Sequence, residues 1–169
     1  MPPIISIVGK SGSGKTKIVE ALIKNFKQRG YRVGTIKHHS HGDFEIDIPG
    51  KDSWRHARAG SDLVVISSPV KLAMIKKMEK EASLDQIVNE LMQEVDVVLT
   101  DGYNRERKPR VIIAQSKGDL ELFSRDCEVI AVVCDGGIET KIPIFSFKEI
   151  SNLTSLIENK FLKAQSLNR

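Results

Sequence analysis

The chain has 169 residues, 40% hydrophobic and 28% charged, a balance that fits one domain with a sizeable core and excludes wholesale disorder. Its net charge is +4, but Lys and Arg are interspersed with acids and aromatic residues reach only 5%, too few for a single-strand stacking platform, so anionic small molecules account for the charge as well as nucleic acid does. No apolar run has the length of a membrane span or the layout of a secretory leader, and the two cysteines, Cys127 and Cys134, fit no metal spacing; buried thiols in a reducing cytoplasm are expected.

The first element is the run Ile4-Ile5-Ser6-Ile7-Val8, which reads as a short buried strand. It feeds Gly9-Lys10-Ser11-Gly12-Ser13-Gly14-Lys15-Thr16, a match to the phosphate-loop pattern, and Ile18, Val19, Leu22, Ile23 and Phe26 then recur at helical spacing. Such a loop turns successive backbone N–H groups toward phosphate oxygens, and the helix start adds the positive end of its dipole. All eight loop residues are therefore candidates for nucleotide binding. Lys15 is expected at the exposed loop mouth, reaching β- and γ-phosphates, and the Thr16 hydroxyl is expected to ligate Mg²⁺. The bland alternative is a glycine-rich turn that happens to precede a helix.

Gly30 is a good stop for the first helix, and Tyr31 to Lys37 reads as the second strand. The polar stretch from Lys37 to Gly50 is long for a connection, and loops of that kind are usually functional or mobile. Within it only Phe44, Ile46 and Ile48 alternate as a short strand would. A short helix through Trp54 and Ala57 ends at Gly60. Asp62 to Ser67 and Val70 to Lys76 read as two strands around Pro69, a hairpin or an edge addition outside the simple alternation. Val64, Ile66, Leu72 and Met74 give that pair an apolar pattern which must be covered, and an unpaired edge of this kind aggregates. Ser83 and Gln86 have capping-box spacing before a helix through Leu91.

Asp96 to Asp101 is a buried strand with an acid at its end, and Arg110 to Ala114 follows as another after a basic loop. Asp119 to Phe123 has the pattern of a helical turn. Val129 to Cys134 and Ile142 to Phe145 read as strands, and Ile150, Leu153, Leu156, Ile157 and Phe161 as an amphipathic closing helix. The expectation is a P-loop NTPase α/β fold, with a mostly parallel sheet, helices on both faces and the added hairpin or edge. Residues 1–161 form a single nucleotide-binding domain on this reading, and 162–169 a frayed tail.

Four places beyond the loop could carry chemistry. Asp101 ends a strand before Gly102, where P-loop proteins hold an acid for Mg²⁺; the alternative is an aspartate capping a turn. Asp47 lies past the second strand and could reach the same metal, or could be a turn acid before Pro49-Gly50. His38, His39 and His41 lack a fourth ligand at a customary zinc spacing and read as a solvated loop or a polar wall beside phosphates. Asp135 falls roughly where a base-reading aspartate would stand, although the string Asn-Lys-x-Asp is absent and a turn acid before Gly136-Gly137 fits as well. No catalytic residue is assignable. Lys10 occupies the slot from which deviant P-loop proteins reach a partner's nucleotide, and otherwise faces solvent.

Three segments together resemble the molybdopterin-guanine dinucleotide biosynthesis protein B family. They are the phosphate loop; Gly34-Thr35-Ile36-Lys37-His38 running on through Asp47-Ile48-Pro49-Gly50-Lys51-Asp52-Ser53 to Arg55 and Ala59-Gly60; and the strand Asp96 to Tyr103. One departure is Asp101-Gly102-Tyr103-Asn104, where the family has Glu-Gly-Phe/Tyr-Lys. The shorter acid suggests metal contact through water, and the family's lysine is absent at Asn104. The resemblance implies GTP binding with slow Mg²⁺-dependent hydrolysis at most, and an accessory role in attaching guanine nucleotide to molybdopterin. Transfer itself belongs to a molybdopterin-bearing nucleotidyltransferase partner. A homodimer with a sheet extended between subunits is also implied. Two other classes compete: a P-loop small-molecule kinase, with Arg105, Arg107, Lys108 and Arg110 as a phosphate-clamping lid, and a basic nucleic-acid-binding protein.

Overall fold

The computed structural model of the chain describes residues 1–39, 42, 44–104 and 106–163. In chain order its elements are β1 (Ile4–Gly9), α1 (Lys15–Gln28), β2 (Val33–Lys37), α2 (Asp52–Arg58), β3 (Leu63–Ser68), β4 (Lys71–Lys76) and α3 (Leu84–Leu91). Then follow β5 (Val97–Asp101), β6 (Arg110–Ile113), α4 (Lys117–Phe123), β7 (Val129–Val133), β8 (Ile144–Phe145) and α5 (Ile150–Ile157), which runs on as a π-turn over Glu158–Leu162. Contacts divide the chain into two compact units, Met1–His38 with Leu84–Arg169, and His39–Ser83.

The first unit is a six-stranded sheet in the order β2-β5-β1-β6-β7-β8, parallel at every pairing. β1 is buried at all six positions, as a central strand covered on both faces must be. Alternate residues serve opposite faces. Ile5, Ile7, Val97, Leu99, Val111 and Ile113 pack with Ile18, Leu22 and Phe26 of α1 and with Leu153 and Ile157 of α5. On the other face Val8, Ile112 and Val132 meet Leu120 and Phe123 of α4, while Ile4, Ile36 and Val98 meet Leu84 and Val88 of α3. A register slip pairs Arg110 with Val129 and then Val111 with Ala131, so Ile130 leaves the alternation and joins the α1–α5 core.

Of the basic cluster, the described Lys108 and Arg110 are engaged by the protein itself. Arg110 is buried, and its guanidinium donates to the carbonyls of Phe123 (2.8 Å), Glu106 (2.9 Å) and Asn104 (3.1 Å), which ties the preceding loop to the sheet. Lys108 pairs with Asp85 of α3 at 2.6 Å, and Arg107 is exposed. Arg105 lies outside the described residues, as do Ser40, His41, Asp43 and 164–169. Leu162, the first residue of the stretch expected as a tail, is buried in the α1–α5 core.

The second unit holds α2 and a hairpin, β3 against β4, which is a separate antiparallel sheet and not an edge of the main one. Pairing of Val65 with Met74 and Ser67 with Leu72 puts Leu63, Val65, Leu72 and Met74 on one face, and all four are exposed. Val64, Ile66, Ala73 and Ile75 occupy the other face, where Val64 is buried. The four residues expected to alternate together are thus divided between faces. Phe44, Ile46 and Ile48 form no strand and are exposed.

Candidate functional site

The loop between β1 and α1 lies at the carboxyl end of the central strand, where open parallel sheets bind ligands. Its close packing demands glycine. A Cβ on Gly9 would come 2.8 Å from the Ile113 carbonyl oxygen and 2.8 Å from Ser13 Oγ. Gly14, at the N-cap of α1, has φ +93°, and a Cβ there would lie 2.9 Å from Phe147 Cε1. The first turn of α1 carries no acid, so the positive end of its dipole is not neutralised by a side chain of that turn.

Lys15 is half-buried instead of standing free at the mouth. Its ammonium donates to the carbonyls of Lys10 (2.7 Å) and Gly9 (2.9 Å), folded over the loop's own backbone. Lys10 turns the other way. Its ammonium lies 2.6 Å from Oδ1 of Asp119, a buried residue in the first turn of α4. Asp119 Oδ2 accepts from the Gln115 amide at 2.9 Å, and Ser116 caps the helix by accepting from the Asp119 amide. Lys10 foremost, and then the Gln115 amide, hold the Asp119 carboxyl below its ordinary pKa. Ser11, Gly12 and Thr16 are exposed, whereas Ser13 is buried and its Oγ has no hydrogen-bond partner among the described residues.

Asp101 ends β5, the strand beside β1, in register with Ile7 on one side and Lys37 on the other. Its Oδ2 is 3.7 Å from Lys37 Nζ, and its carbonyl accepts from the His38 amide at 3.0 Å. Asp101 and Thr16 follow the carboxyl ends of neighbouring strands and offer only oxygen donors, which suits a hard cation such as Mg²⁺. Below them Thr100 Oγ1 donates to Ser6 Oγ at 3.1 Å, both fully buried.

On the other side of the loop is a groove of about 330 Å³ lined by Ser13, Ile113, Ala114, Gln115, Asp135, Gly136 and Phe147. Asp135 therefore shares a concavity with the phosphate loop. Asp47 belongs to the second unit, where its Oδ1 accepts from the Ile48 amide at 2.8 Å. The His38 ring is 4.7 Å from Tyr103, the His39 ring is 5.8 Å from Phe44, and His41 lies outside the described residues. Among the described residues no group of three or more His, Cys, Asp or Glu side chains could hold a metal, and no helix is long and apolar enough to cross a membrane.

The model of the family described as molybdopterin guanine dinucleotide synthesis protein B matches residues 4–135. The chain belongs to that family. It is 33% identical to the molybdopterin-guanine dinucleotide biosynthesis adapter protein of Haemophilus influenzae over 93% of this chain and 88% of that protein. With the adapter protein of that name from Escherichia coli it shares 28% identity, covering 93% and 92% of the two chains. A crystal structure of a molybdopterin-guanine biosynthesis protein B superposes with a TM-score of 0.79 at 32% identity, over 92% of this chain and 97% of that one. The family's fold thus extends over nearly the whole chain.

Two features at this site were not read from the sequence. Asp119 as the partner of Lys10 has no sequence signal, because a surface lysine and an acid 109 positions apart look unrelated until β1 and α4 are packed. Phe147 was legible in part: Ser146 and Glu149 have capping spacing, which places Phe147 in a turn beyond β8 at the carboxyl end of the sheet.

Proposed function

We propose that this chain is a Mg²⁺-dependent GTP-binding adapter that assists attachment of a guanine nucleotide to molybdopterin. The observation carrying this reading is Lys15, held inside the loop by carbonyl oxygens of Gly9 and Lys10, at the start of an acid-free α1. A phosphate chain would offer the same ammonium stronger, charged acceptors. The backbone amides of residues 12–16 would take the remaining phosphate oxygens. Thr16 and Asp101 would hold Mg²⁺, whose part is to neutralise phosphate charge. Asp135 would accept hydrogen bonds from the N–H groups of a guanine edge, which adenine lacks.

Hydrolysis is slow on this reading, because no general base is assigned beside the loop. Nucleotidyl transfer falls to a partner enzyme that carries molybdopterin, in the cytoplasm. The adapter acts as a homodimer. Support for that comes from Leu63, Val65, Leu72 and Met74, an exposed apolar face on a two-stranded sheet whose edges find no further strand among the described residues.

The metal assignment is tested by titrating GTP with and without Mg²⁺. Thr16→Ala and Asp101→Ala should each weaken binding about tenfold with the metal present and scarcely without it, since each loses one charge-assisted ligand. An Asp101→Ala protein that binds like wild type in both conditions would make that acid structural.

A further inference from the structure

We infer that Phe147 is the aromatic wall of the base subsite and determines how tightly the base end of a nucleotide is held. The inference rests on the nucleotide reading above and extends it to a residue outside the phosphate loop and the strand ends.

The groove is contiguous with the phosphate loop, because Ser13 is part of both. It is lined by the apolar Ile113 and Ala114, and its polar residues are few: Ser13, Gln115 and Asp135. That is the composition of a site for a flat heterocycle with one polar edge. Ser13 lines the same groove, while its Oγ is buried within the loop.

Phe147 closes the groove. Its ring packs partly on the α1–α5 core and its edge rests against Gly14, where even a methyl group would collide with Cε1. The turn carrying the ring is fixed at both ends. The amide and hydroxyl of Ser146 donate to Glu149 Oε2 at 2.9 and 2.8 Å, and the Glu149 amide donates back to the Ser146 carbonyl at 3.0 Å. The ring is therefore set before any ligand arrives, and stacking on it costs little side-chain entropy. A purine offers the π-face that such a wall binds. Contact with Gly14 also links the base wall to the start of α1, where the phosphates would sit.

The test compares GTP with inorganic tripolyphosphate, which fills the phosphate loop but has no base. Wild type, Phe147→Ala, Phe147→Leu, Phe147→Tyr and Lys15→Ala are titrated with both and melted without ligand. Phe147→Ala should lose about tenfold or more in GTP affinity, the usual cost of deleting an aromatic stack, while tripolyphosphate affinity stays at the wild-type value. Phe147→Leu keeps the apolar bulk for folding and should lose GTP affinity in the same direction; Phe147→Tyr should retain it. Lys15→Ala should lose both ligands. Equal GTP affinity in wild type and Phe147→Ala overturns the inference. So does an equal loss of both ligands, which marks a purely structural residue. Wild type that binds tripolyphosphate but shows no gain from the base overturns the base wall and leaves the phosphate loop standing. Binding of neither overturns the nucleotide reading itself.

Discussion

The two units of this chain treat their apolar residues in opposite ways. In the sheet unit β1 is buried at every position, and the side chains of β5, β6 and β7 disappear into cores on both faces. In the unit His39–Ser83 the hairpin buries Val64 but leaves Val70 at 95%, Leu72 at 68% and Val65 at 50% exposure. A phosphate-binding core has to be rigid, because loop glycines and Lys15 must be aimed before the ligand arrives. The hairpin has no such duty within the chain. On the proposed reading, its exposed apolar face is what meets a second copy of the chain.

The largest effect that separates the units is in packing. Phe26→Ala removes a fully buried ring from the α1–α5 core and should cost about 3–5 kcal/mol in unfolding free energy. Val70→Ser, at the exposed hairpin turn, should stay within about 0.5 kcal/mol. Chemical denaturation of both variants checks this, and comparable losses would erase the contrast.

A pH scan sharpens it at the loop. Lys10 and the Gln115 amide lower the Asp119 pKa in the folded protein, so this carboxylate stabilises the fold above its unfolded pKa. The contribution disappears as pH falls through the lowered folded value. Asp119→Asn should therefore lower stability at neutral pH and flatten the acid limb of the stability curve. A variant with an acid limb identical to wild type would show that the Lys10 pair contributes nothing.

The smallest change in monomer stability, with the largest change in assembly, belongs to the hairpin. Val65→Asp with Leu72→Asp should convert the dimer to a monomer in sedimentation at micromolar concentration. Unfolding free energy of that monomer should change by about 1 kcal/mol or less, as both positions are exposed within the chain. A wild-type monomer would remove the two-fold interface.

The sheet unit was the more legible of the two, for the same physical reason. A glycine loop between an apolar strand and a helix with Ile18, Leu22 and Phe26 on one face dictates its own geometry locally, and β1, α1 and β5 stand where periodicity puts them. Lys15 was read as exposed because sequence shows its charge and not the two carbonyls that hold it. The hairpin residues Val64, Ile66, Leu72 and Met74 were grouped by apolarity. Strand register, which one turn fixes, divides them between two faces. The competing kinase reading took the basic run ending at Arg110 as a phosphate-clamping lid, yet Arg110 lies inside, where its guanidinium meets backbone carbonyls.

The central claim is that the loop Gly9–Thr16 holds a guanosine triphosphate through Lys15. Isothermal titration of GTP with Mg²⁺ into wild type and Lys15→Ala, beside thermal melts of both proteins, tests it most directly. The account predicts saturable binding to wild type, a loss of roughly tenfold to a hundredfold in the variant, as expected for removing charged hydrogen bonds, and nearly unchanged melting. Equal affinity in the two proteins, or a Lys15→Ala protein that loses binding only because it no longer folds, would contradict it.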